Sequence, residues 1–194
     1  MSIHFDFDEK RATHAAAYLI KLAGGQLNYL KMVKMLYFAD RYSILHYGYP
    51  ISGGNYFSMK MGPVVSEIMD AAKNNNNKYS YWASVIHKRS NTMSMSKDID
   101  TDELSKNDEK ALEEVFLALR KLTHRELIDG YCHDGKKTPE WTRIEDDSRA
   151  PLKVEKILRT LGGNPEDQIM QVTANAELAE KLNALRETQP VASR

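Results

Sequence analysis

The stretch YLKMVKMLYFADRYSILHY, which follows Asn28, constrains this chain more than any other. It carries apolar groups on most of a helical circumference, between a good N-cap residue and Gly48, and a helix that is hydrophobic nearly all round must be covered by other elements. A helix from about Asn28 to Tyr47 therefore belongs at the centre of the fold. A chain of 194 residues, 42% hydrophobic and 28% charged, can supply that cover as one domain with an extension or as two small domains.

The flanking sequence specifies the neighbours. Ala12, Ala15, Ala16, Leu19, Leu22 and Ala23 recur at helical spacing, and Gly24-Gly25 closes that helix. After the YPISGG turn, Phe57, Met59 and Met61 alternate with Tyr56, Ser58 and Lys60, the period of a half-buried strand. The methionines are expected inward and Lys60 outward. Gly62-Pro63 reads as the start of a short helix bearing Val64, Val65, Ile68, Met69 and Ala72, which ends in the polar run Asn74 to Asn77. Residues 84–97 read as two short strands about a polar turn.

Further on, residues 98–108 are acidic and loop-like, and Leu112, Val115, Phe116, Leu119 and Leu122 mark an amphipathic helix. The capping-box spacing of Thr123 to Glu126 starts another helix, which stops near His133. A turn then brings in Trp141, expected to pack on the helix at 110–122 with His133 as a structural histidine beside it. Beyond Pro151 the pattern changes to Val154, Ile157, Leu158 and Leu161, and then to a last helix with Leu178, Ala179, Leu182 and Leu185. Its leucine stripe must cover either the domain's own core or a partner, and docking on the domain is the simpler reading. The expected fold is mainly α with a small antiparallel β-sheet (α+β) made from the 55–61 and 84–97 regions. It comprises a compact helical domain over residues 1–148 and a C-terminal helical extension over 149–194 packed on it.

The chemical motifs narrow function largely by exclusion. Lysine plus arginine equals aspartate plus glutamate, 27 each, so no global charge draws the chain to nucleic acid or an anionic membrane. Cys132, the single cysteine, leaves no internal disulfide and suits a reducing compartment. The opening MSIHFDFDEKRA lacks a signal pattern, and no apolar run nears the ~20 residues of a membrane span, so the expected location is cytoplasmic. AGGQ and SGGN lack the rest of a phosphate-binding fingerprint, and the six histidines lack zinc-site spacing. Cys132 and His133 are adjacent and point about 100° apart on a helix, which does not make a nucleophile–base pair. No catalytic residue, metal or cofactor is expected.

One segment keeps a claim to function. Strand alternation sets Tyr56, Ser58 and Lys60 on one face, beside the free backbone amides of the helix start expected at Gly62-Pro63-Val64-Val65, a local positive site suited to an acidic group on a partner. Lys60 could instead pair with Glu67 or Asp70 of its own domain.

The segment LKMVKMLYFADRYSILHYGYPISGGNYFSMKMGPVVSEIMDAAK resembles the leading signature of the Panacea domain of SocA-type antitoxins, and LSKNDEKALEEVFLALRKLTHRELIDGYCHDGKKTPEW is similar to its second half. The matching positions are Lys31, Lys34, Leu36, Tyr37, Gly48, Pro50, Lys60, Gly62, Pro63, Val64, Leu104, Ser105, His133 and Trp141, over roughly residues 10 to 145. Of these, Lys34, Tyr37, Gly48, His133 and Trp141 are read as structural members of the motif. Two departures stand out: Ser58-Met59 replaces the family's frequent alanine-tryptophan, and Glu140 separates Pro139 from Trp141.

The resemblance implies a binding protein rather than an enzyme, with a cognate toxin protein as partner. It also implies possible protease or chaperone partners, since SocA-type members are described as adaptors that hand a toxin to a protease. Binding of a host factor by a mobile-element protein, and an unrecognised hydrolase using His133, are the remaining alternatives. A helix-turn-helix arm is not evident, so nucleic acid is not an expected partner.

Overall fold

A computed structural model of the chain describes residues 2–73 and 78–188. Its centre is α2 (Tyr29–Tyr47), as its apolar circumference requires. Asn28 accepts hydrogen bonds from the amides of Leu30 and Lys31 at its start, and Gly48, in the left-handed region at φ 79°, ends it. Helix α1 (Glu9–Leu22) and helix α5 (Lys106–Leu119) pack along it. Both are capped from sequence: Asp8 accepts from the amide of Arg11, and Ser105 forms a capping box with Asp108. Asp108 also receives the Arg11 guanidinium at 2.7 Å, which locks the starts of α1 and α5 together. No described helix is long and apolar enough to cross a membrane.

Strands form two antiparallel sheets rather than one. The expected hairpin, β4 (Ile86–Arg89) and β5 (Thr92–Met95), pairs with β1 (Gln26–Asn28), in the order β1-β5-β4. The second sheet has the order β3-β2-β6, with β2 (Tyr56–Met59) between β3 (Gly62–Val65) and β6 (Arg149–Pro151). Each outer strand carries a proline, Pro63 or Pro151, where a missing ladder donor is tolerated.

Gly62-Pro63 is thus the start of a strand, not of a helix. Gly62 has φ 96°, which closes the two-residue turn Lys60-Met61, and the β-branched pair Val64-Val65 continues the strand. Helix α3 (Ser66–Lys73) begins only after it. The expected end of that helix at Asn74 to Asn77 lies outside the described residues. A short helix α4 (Ser80–Val85) buries Trp82.

The remaining helices follow their local signals. α6 (His124–Leu127) opens with the Thr123–Glu126 capping box, runs into one π-helical turn over Ile128–Cys132, and stops at His133. α7 (Val154–Leu161) buries Val154, Ile157 and Leu158 against the body. α8 (Pro165–Thr188) docks through Val172 and Ala176, one turn away from the expected stripe. Leu178, Leu182 and Leu185 are 56%, 48% and 61% exposed, so the leucines are not what seats this helix.

Candidate functional site

The β2–β3 turn has a wet upper side and a dry lower side, and the positions singled out from sequence divide between them. Tyr56, Ser58, Gly62 and Pro63 are buried, whereas Lys60 is exposed. The alternation along β2 is real, but its phase is opposite to expectation: Tyr56 and Ser58 face inward, and Phe57 and Met59 are only half-buried. Long-range polar partners decide the phase. The Tyr56 hydroxyl donates to Asp40 at 2.9 Å, and Ser58 Oγ accepts the amide of Thr142 at 3.0 Å. On the outer face, the Arg149 guanidinium lies 4.3 Å from the Phe57 ring centroid and shields it.

On the lower side, three charged residues of α2, Lys34, Asp40 and Arg41, find partners in the interior. Lys34, 2% exposed, donates to the carbonyl of Pro63 at 2.9 Å. Burial lowers its pKa to about 8, with the nearby Cys132 opposing the fall. Cys132 is itself fully buried, and burial pushes its thiol up to about 11. Gly62 lies directly over it: a β-carbon at Gly62 would come within 2.5 Å of Cys132 Cβ. A positive-φ glycine, a buried thiol and a buried lysine thereby fix the root of the turn.

One helical turn along α2, Tyr37 donates to Glu140 Oε1 at 2.8 Å, and Arg41 reaches the same oxygen at 2.9 Å and the carbonyl of Lys137 at 2.9 Å. The residue that looked like an insertion between Pro139 and Trp141 is therefore the group that anchors this segment to the central helix. Burial and the neighbouring Glu140 carboxylate raise the Tyr37 phenol well above its ordinary value, which keeps it a donor. A further turn on, Asp40 accepts from the amides of Ile51 and Ser52, the Ser52 hydroxyl and the Tyr56 hydroxyl. Burial lifts its carboxyl to about 6 against those bonds. Glu140, Arg41 and Asp40 escaped sequence reasoning, although charges inside an apolar helix need interior partners and so carried a signal.

On the upper side, Trp141 Nε1 donates to the carbonyl of Met59 at 3.0 Å, and His133 Nε2 donates to the carbonyl of Lys60 at 2.9 Å. The two rings stack with centroids 4.5 Å apart and planes 18° from parallel. Trp141 thus packs on the β2–β3 turn, not on α5, and is half-buried. His133 does neighbour it as expected. Lys60 and the 48% exposed Met61 stand out beside this stack, and no described ion pair joins Lys60 to Glu67 or Asp70. Glu67 instead binds the backbone and side chain of Asn55. Lys60, His133, Trp141, Arg143, Ile144 and Glu145 line a cleft of about 330 Å³.

The structure does not bring the remaining candidates into this site. Gly48 lies at the far end of α2, where Asn175 of α8 donates to its carbonyl at 3.0 Å. Cys132 points into the core and His133 outward, so the adjacent pair does not converge on one cleft. Among the described residues, no three histidine, cysteine or acidic side chains are grouped as metal ligands would be.

The sequence profile of the family described as "Antitoxin SocA-like, Panacea domain" matches residues 32–142. That span holds both sides of the turn. No curated protein and no solved structure matches the chain.

Proposed function

The chain belongs to the SocA-like antitoxin family with a Panacea domain, and on that premise we propose that it neutralises a cognate toxin by direct protein–protein contact through the Lys60–Trp141 face. The observation that carries this reading is the division of labour at the β2–β3 turn. The carbonyls of Met59, just before the turn, and of Lys60, within it, are held by Trp141 and His133, while Lys34 holds Pro63 from below. A rigid mount of this kind presents Lys60 and Met61 with little ordering cost on binding.

The exposed chemistry is also that of a recognition surface. Tryptophan, methionine and arginine are enriched where partners meet, and a small number of such anchors dominates binding energy. In this account Lys60 meets an acidic group of the toxin, and the Trp141–His133 stack beside it supplies apolar area. Tyr56, Ser58, Gly62 and Pro63 act as interior support for that face rather than as contacts.

Co-expression of the chain with the product of each adjacent open reading frame tests the proposal. One product should arrest growth alone, be rescued by this chain, and co-purify with it. Rescue that fails with every neighbour would contradict it, and rescue that disappears in a protease-deficient host would replace direct inhibition with delivery to a protease.

A further inference from the structure

A groove of about 700 Å³ runs between α8 and the N-terminal segment and shares no lining residue with the Lys60 cleft. We propose that this groove receives a basic amphipathic helix from a partner protein. The reading concerns a second surface and does not depend on the role of Lys60.

The shape of the groove follows from α8. Gln171, Asn175, Leu178, Leu182 and Asn183 line it at helical spacing, so one wall is a straight stripe of about 18 Å at 1.5 Å per residue. Three turns of a partner helix fit a wall of that length, and helix-in-groove binding reads out apolar anchors at the same spacing. The apolar surface is present and unspent: α8 docks through Val172 and Ala176, while Leu178 and Leu182 stay 56% and 48% exposed beside half-buried Tyr47 and Tyr49.

Charge identifies the occupant. Asp6, Asp8 and Glu103 line the groove against one cation, Arg11, whose guanidinium is already engaged by the buried Asp108 at 2.7 Å; Asp6 accepts from Asn183 at 3.2 Å and Asp8 from the Arg11 amide at 3.0 Å, neutral donors that leave both negative charges in place. Glu103 faces Lys10 across 3.6 Å of exposed surface, which offsets it only in part. Just beyond, Glu177 and Glu180, with Lys181 as their neighbour on α8, extend the acidic side. An apolar floor with a carboxylate rim favours leucine-type anchors flanked by lysine or arginine, and it repels an acidic helix of the same pattern.

The test uses the full chain and two fluorescein-labelled 14-residue helical peptides with identical leucine positions, one filled with lysine and one with glutamate. Anisotropy should show saturable binding of the lysine peptide and none of the glutamate peptide. Leu178→Ala/Leu182→Ala and Asp6→Asn/Glu103→Gln should each weaken binding at least tenfold, with melting temperatures unchanged because these side chains are exposed. Absence of saturable binding, or binding indifferent to both variants, overturns the proposal. Sedimentation velocity closes the alternative: a concentration-dependent dimer that the leucine variants dissolve would make a second copy the occupant and overturn it equally.

Discussion

The ammonium of Lys34 donates to the carbonyl of Pro63 at 2.9 Å in the protein interior, which ties the middle of the central helix to the strand that follows the Lys60-Met61 turn. This contact makes α2 more than a scaffold, because the exposed turn takes its position from a buried charge.

Stability should therefore depend on pH in a defined direction. Burial lowers the Lys34 pKa from 10.5 to about 8, so between those values the unfolded chain binds more protons than the folded one. Stability then rises as pH rises through this window, and the penalty of burying the charge is fully present below it. Between pH 8 and 9 the wild type should gain about 1 kcal/mol relative to Lys34→Met in urea unfolding, within the limit of about 1.4 kcal/mol per pH unit for one proton. The comparison stops at pH 9 because Cys132, raised to about 11, contributes with the opposite sign above its ordinary value. A flat difference would mean that Lys34 holds its proton in the folded chain as firmly as in the unfolded one, so that burial does not lower its pKa.

Gly62 should tolerate no side chain. Gly62→Ala combines a left-handed φ of 96° with a contact of 2.5 Å to Cys132 Cβ, and about 2–4 kcal/mol of destabilisation is expected. Cys132→Ala in the same chain should restore only part of it, since the Cβ remains. Calorimetric melting that shows Gly62→Ala at wild-type stability would place the turn elsewhere.

The Glu140 anchor predicts an unequal pair of variants. Arg41→Ala leaves a fully buried carboxylate with only the Tyr37 hydroxyl and should cost about 3–5 kcal/mol. Glu140→Gln added to Arg41→Ala should recover part of the loss by removing the uncompensated charge. If the second change makes matters worse, the loss lies in the hydrogen bonds that Glu140 makes and not in an uncompensated charge.

How far the sequence carried these conclusions varied with the range of the interactions. The central helix, its Asn28 and Gly48 ends, the Thr123–Glu126 box and the 86–95 hairpin are written in neighbouring residues, and they were legible. The phase of β2 was not, because Asp40 and Thr142, which draw Tyr56 and Ser58 inward, come from other elements. The same holds for the two separate sheets, whose third strands β1 and β6 are three residues each. The leucines of α8 misled for a related reason: a stripe shows that a face is apolar, not what covers it. Within the candidate site, Lys60, His133 and Trp141 were found by motif, while Glu140 and Met61 emerged only from the folded arrangement.

Trp141 separates support from recognition. With the ring half-buried, Trp141→Ala should cost about 1–2 kcal/mol, below the ~3–5 kcal/mol of full burial. It should nonetheless abolish growth rescue at a temperature where the variant remains folded by circular dichroism. Rescue at the wild-type level would remove Trp141 from the partner surface.

The central claim, that the Lys60–Trp141 face binds the toxin, is tested most directly by calorimetric titration of the purified toxin into wild-type chain and into Lys60→Glu. Lys60 is exposed, and the charge it acts on, the Asp146 carboxylate, is exposed as well, so the variant should melt within about a degree or two of the wild type. The account predicts at least a tenfold loss of affinity at unchanged melting temperature. Equal affinity, or a loss that accompanies unfolding, would contradict it.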